Sequence, residues 1–167
     1  MKLILIRHAK AEERSAATYP DDALRPLAEV GLREQAKLAR AMKRMRISFD
    51  HLATSPKTRA RETAEILAEG MRWKNPIDMA PVLGEGFSVS RVIEWLRQYP
   101  REATVACVGH EPDLSELASA LLSSDDSVWI DFKKSGVLAL DFNGYPDQDR
   151  GMLLYFLRPK QILRLMG

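Results

Sequence analysis

Leu3-Ile4-Leu5-Ile6-Arg7-His8 opens with four apolar residues and stops abruptly at an arginine and a histidine. An unbroken apolar run this short reads as a β-strand covered on both faces, the kind a largely parallel sheet contains. A second such run, Val105-Ala106-Cys107-Val108, ends in Gly109-His110. The chain has three histidines, and two of them stand directly after these runs. In open α/β sheets, ligands bind in the crevice outside the carboxyl ends of the strands. The two imidazoles therefore share one rim if the two strands are neighbours in the sheet.

Working outward, apolar positions recur at helical spacing. Leu32, Ala36, Ala39 and Met42 predict a helix from about Glu29 to Met45. Phe49 to Thr54 reads as a strand, and Ser55-Pro56 as an N-cap followed by proline at the first helical position. Ala60, Ala64 and Leu67 carry that helix to about Glu69, with Arg59 in its first turn. Val89 to Tyr99 is a third helix, stopped by Pro100. A fourth has Pro112 near its start and Leu114, Leu117, Ala118 and Leu121 on one face. Val137 to Phe142 and Met152 to Leu157 pattern as an antiparallel pair, joined by a loop containing Asn143-Gly144. No repeat, low-complexity segment or linker-like stretch interrupts the 167 residues. The pattern predicts an α/β fold: one three-layer domain over residues 1–167, its mixed and mostly parallel sheet flanked by helices on both faces.

Composition narrows the function classes. Hydrophobic residues make up 46% of the chain and charged residues 29%, a globular composition. A formal charge of +2 is too balanced to argue for nucleic acid, while leaving room for a local basic pocket. The basic stretch from Arg40 to Arg46 falls late in a helix, where cations complement the C-terminal dipole. Cys107 is the single cysteine, so no internal disulfide forms and a reducing compartment is expected. No apolar run approaches the roughly 20 residues of a membrane span, and a cytoplasmic location is the expectation.

Taken singly, each polar residue has an ordinary reading: a structural histidine, or an arginine paired with Glu62 or Glu65. Arg7, His8, Arg59 and His110 at strand ends or a helix start are a different matter. Helix starts present unpaired N–H groups to anions, and an arginine buried there without an anion is costly. Together they predict a phosphate pocket. His51, inside a strand pattern, reads as structural. Other chemistries fit less well. Six residues after Cys107 stands Asp113, where a cysteine phosphatase needs arginine. Gly84-Glu85-Gly86 lacks the third glycine and preceding strand of a dinucleotide fingerprint. Zinc is not expected between two arginines, which repel a cation.

Arg7-His8 after the first strand resembles the signature of the histidine phosphatase superfamily, also called phosphoglycerate mutase-like. Ala53-Thr54-Ser55-Pro56-Lys57-Thr58-Arg59-Ala60-Arg61-Glu62-Thr63-Ala64 resembles its second motif, and Val108-Gly109-His110-Glu111-Pro112 the segment bearing its second histidine. Chain length and Leu24-Arg25-Pro26-Leu27 look most like the SixA-type phosphohistidine phosphatases. Two departures are Ala9, where many members carry glycine, and Ala28, which cannot cap a helix through its side chain.

The resemblance implies transfer through a phosphohistidine on His8, with Arg7 and Arg59 gripping the phosphoryl oxygens and His110 adding a further donor. Arg25 is either a second basic residue at the mouth or a surface arginine. Glu85, on a loop, is either a general acid or a solvated carboxylate. No metal or other cofactor is implied. The implied partner is a phosphorylated protein carrying phosphohistidine, or else a small phosphate ester. A non-catalytic module that binds a phospho-ligand is the reading from another class.

Overall fold

The computed structural model describes residues 1–125 and 127–165. Six strands form one sheet: β1 (Lys2–Arg7), β2 (His51–Thr54), β3 (Ile77–Met79), β4 (Thr104–Gly109), β5 (Val137–Asp141) and β6 (Met152–Leu157). Their order is β3-β2-β4-β1-β5-β6. The first four are mutually parallel, and β5 runs antiparallel to both β1 and β6. The helices are α1 (Glu29–Arg44), α2 (Thr58–Met71), α3 (Val89–Leu96), α4 (Asp113–Leu122) and α5 (Pro159–Leu165), with short 3-10 turns at Asp22–Leu24 and Pro81–Leu83. The α/β architecture with a mixed sheet is the one expected.

Alternation along the strands splits the interior into two cores. Leu3, Leu5, Val105, Cys107, Leu138 and Leu140 face α3 and α4, whereas Ile4, Ile6, Ala106, Val108, Val137 and Ala139 face α1 and α2. Both faces of β1 and β4 are therefore apolar, which is why their sequences read as unbroken runs. The helix after β1 and the helix after β4 lie on opposite faces, although the two strands are neighbours. Diverging connections open a crevice at the carboxyl ends of that strand pair. Among the described residues no helix is long and apolar enough to cross a membrane.

Several expected boundaries move, each for a local reason. Helix α2 begins at Thr58 rather than at Pro56, and Lys57 caps it without a side-chain bond; Ser55 Oγ accepts the Lys57 amide at 3.4 Å and lies 2.8 Å from His110 Nε2. Helix α3 ends at Leu96, three residues short of Tyr99, whose hydroxyl donates to the Asp78 carboxylate at 2.8 Å and whose ring packs on His51. The residue before a proline is also disfavoured in helical conformation. Phe49 is buried but lies outside β2, its ring packed at a tilt against Trp73 with centroids 4.9 Å apart. The sequence pattern passed over β3, only three residues long, and α5.

Candidate active site

Register places the two histidines. Arg7 pairs with Gly109 across β1 and β4, so His8 and His110 leave the sheet side by side. Their ring centroids are 5.1 Å apart, tilted by 52°, and each residue is only 4% exposed. His8 Nδ1 lies 2.7 Å from the Ala9 carbonyl. A carbonyl can only accept, so Nδ1 carries the proton and Nε2 keeps its lone pair. Burial first, then the charge of Lys134 and the proximity of His110, lower His8 to about 2. Burial first, then the charges of Arg59, Lys57 and Lys134, lower His110 to about 3. Both imidazoles are neutral near pH 7.

Helix α2 delivers Arg59, which is 6% exposed. The Ala9 amide donates to Thr63 Oγ1 at 3.0 Å, and the Thr63 hydroxyl donates to the Arg59 carbonyl at 2.6 Å. This chain of bonds ties the helix to the backbone after His8. Arg59 Nη1 donates to the Asp22 carbonyl at 2.8 Å, and Nη2 pairs with the Asp22 carboxylate at 3.1 Å. Arg7 Nη1 donates to the Phe132 carbonyl at 2.5 Å. Nε2 of His110 is 2.8 Å from Ser55 Oγ.

Among the described residues, three buried nitrogens of this group lack a hydrogen-bond partner: Arg7 Nε, Arg59 Nε and His110 Nδ1. Unsatisfied buried polar groups are costly. A tetrahedral oxyanion is the ligand chemistry that would satisfy such a set of nitrogens.

The structure thus brings Arg7, His8, Arg59 and His110 together. Arg25 stands behind them: Nε donates to the Asp22 carboxylate at 2.8 Å and Nη1 to the Glu12 carbonyl at 2.7 Å. Arg25 and Arg59 therefore share Asp22, whose carboxyl the Arg25 hydrogen bond holds below its usual range. Glu85 is exposed and makes no hydrogen bond or ion pair with the site. Its neighbour Gly84 is the residue in contact, since a Cβ there would stand 2.8 Å from Ser55 Oγ.

Four participants escaped the sequence reading. Ser55 holds His110, and Asp22 holds two arginines. Lys134 lies on a turn whose Ser135, at φ 60°, donates its amide to the Arg7 and His8 carbonyls at 3.1 and 3.3 Å. Partial desolvation, then the charges of Arg7, Arg25 and Arg59, bring Lys134 down to about 8. Glu111 accepts from the Ser115 hydroxyl, and burial raises its carboxyl although Arg7 opposes that shift. Ser135-Gly136 was readable as a turn, but nothing local says which strand end it returns to.

Comparison with known proteins gives a family and a shared fold. Residues 3–88 match the sequence model of the histidine phosphatase superfamily, branch 1. An uncharacterized protein of Picosynechococcus sp. is 32% identical over 142 residues, 84% of each chain. The protein histidine phosphatase SixA complexed with tungstate superposes with a TM-score of 0.81 at 21% identity, over 96% of this chain and 98% of that one. A phosphoserine phosphatase of Entamoeba histolytica with 3-phosphoglyceric acid gives 0.70 at 18% identity, over 97% and 98%. At such identities the two structures show a common fold. The match over residues 3–88, just over half of the chain, goes further: the chain belongs to the histidine phosphatase superfamily.

Proposed function

We propose that this protein is a phosphatase that removes the phosphoryl group from phosphohistidine on a protein, through a phosphohistidine intermediate on His8. The observation that carries this reading is the 2.7 Å bond from His8 Nδ1 to the Ala9 carbonyl, which leaves Nε2 of a neutral, buried imidazole as the nucleophile. Nε2 attacks phosphorus in line and its lone pair forms the new P–N bond. The bond to the substrate nitrogen breaks; the departing imidazole keeps that electron pair and takes up a proton. Arg7, Arg59 and His110 stabilise charge on the equatorial oxygens. Water then adds its hydroxyl to phosphorus and its proton passes to solvent. His8 recovers its lone pair as phosphate leaves.

A protonated imidazole is easily expelled, so this substrate needs no dedicated acid. That suits a site whose expected acid, Glu85, is exposed. The fold shared with the SixA protein histidine phosphatase supports the same reading. One observation favours a second reading, hydrolysis of a small phosphomonoester: the Glu111 carboxyl, raised by burial beside Arg7, could protonate an alkoxide.

The test is phosphate release from a phosphohistidine-bearing protein by the parent and His8→Ala, with EDTA present. Release by the parent alone is expected. Release by both would remove His8 from the chemistry, and loss with EDTA restored by zinc would overturn the metal-free mechanism. Release from small esters but not from phosphohistidine would favour the second reading.

A further inference from the structure

Beside the phosphate site runs a groove with a volume of about 720 Å³. One side is the face of α4 that presents Ser115, Glu116 and Ser119; the other is the segment bearing Val128, Trp129 and Ile130. Two of its lining residues, Glu111 and Asp131, adjoin the phosphate site along the chain. Glu111 directly follows His110, and Asp131 directly precedes Phe132, whose carbonyl holds Arg7. Glu111 also feels the charge of Arg7, so the groove lies next to the residues of the phosphate site.

The two compartments have opposite charge. The phosphate site gathers Arg7, Arg59, Arg25 and Lys134, whereas the groove is lined by Glu111, Glu116, Asp125 and Asp131 and, among the described residues, by no lysine or arginine. Asp131 is matched by Lys133 at 2.7 Å, and Glu111 faces Arg7. Glu116 and Asp125, both exposed and without an ion pair among the described residues, carry the unmatched negative charge. Trp129, 85% exposed, adds a broad apolar surface to the same lining. Aromatic faces pack readily against the stems and heads of long cationic side chains. The groove is also far larger than a phosphoryl group requires.

We infer that the groove seats a lysine- or arginine-bearing stretch of the phosphorylated protein, immediately beside the residue being dephosphorylated. This rests on the phosphohistidine reading above. Opposite charge in adjoining compartments selects a substrate that is anionic at the reacting group and cationic along the flanking chain, and it orients that chain along α4.

Three short synthetic peptides test this, each carrying one phosphohistidine flanked by lysine, alanine or glutamate. Expected is a kcat/KM that falls in that order and spans about tenfold between the extremes. The double variant Glu116→Lys with Asp125→Lys should reverse the order while leaving the alanine-flanked rate at the parent value. Equal rates for the three peptides, or an order unchanged in the double variant, would overturn the inference and leave the phosphohistidine reading intact. Turnover of none of them by the parent would sink that reading, and this inference with it.

Discussion

The Ser55 hydroxyl lies 2.8 Å from Nε2 of His110, across the junction between β2 and β4. The same hydroxyl accepts the Lys57 amide at 3.4 Å, so one serine serves both the entry to α2 and an imidazole. Gly84 leaves room for that hydroxyl, with a position for a Cβ only 2.8 Å away. Partners that orient a metal-ligating histidine are worth about 10- to 100-fold, and the bond to Ser55 fixes the His110 ring by the same means. Ser55→Ala is therefore expected to lower kcat by about tenfold with the thermal midpoint little changed. Steady-state kinetics beside a melting curve check this. An unaltered rate would mean that packing alone holds His110.

Lys134 sets the expected alkaline limb. It is cationic below about 8 and neutral above, so the grip on an anionic phosphoryl group weakens as pH rises through that value. Neither histidine gains a proton between pH 8 and 5, since their values lie near 2 and 3. The kcat/KM profile should be flat on the acid side of neutrality until the substrate itself titrates. It should fall above about 8, and Lys134→Met should remove that limb while lowering the plateau. A profile of Lys134→Met that retains the limb would assign it to another group.

Folding stability should depend on the same two imidazoles. In the unfolded chain each titrates at about 6.5; in the folded state both remain neutral to about 3 or below. Between these values the unfolded state binds more protons, so stability is full above about 6.5 and falls as pH drops. The slope is about 1.4 kcal/mol per pH unit for each histidine. Urea midpoints at pH 7 and pH 5 should show the loss, and His8→Ala should reduce its slope by about half. A midpoint that does not move over this range would count against buried neutral histidines.

Gly31, in the first turn of α1, is required by close approach. A Cβ there would stand 2.0 Å from the Lys10 carbonyl oxygen, which also accepts the Ala28 amide at 3.0 Å. Alanine would gain about 1 kcal/mol in helix propensity, but a backbone atom has nowhere to go. Gly31→Ala is expected to destabilise by about 1–3 kcal/mol and, by shifting the segment after Ala9, to reduce turnover as well. Thermal melts and kinetics well below the midpoint separate the two effects. Increased stability would show that the segment yields freely.

The residues that converge on the site were legible because each is announced locally. Arg7, His8 and His110 follow short apolar runs that read as fully buried strands, and Arg59 follows a strand and a helix start. Periodicity and strand-end position are properties of short stretches. The two-sided apolarity of β1 and β4 likewise announced helices on both faces. Less visible was Ser55, which reads locally as a helix cap but also bonds to His110, a partner 55 residues away in the chain.

Tertiary structure alone decided the electrostatics. Asp22 binds Arg25 and Arg59, and Lys134 bears on His8 and His110, only because chain closure brings separate loops to one sheet end. The low titration of the histidines arises from burial, which no residue possesses by itself. Sequence determined the alternation of buried strands and amphipathic helices, hence the fold class and the four residues at its rim. Distance-dependent forces between those residues and their distant neighbours are set by packing, and so belong to the folded molecule.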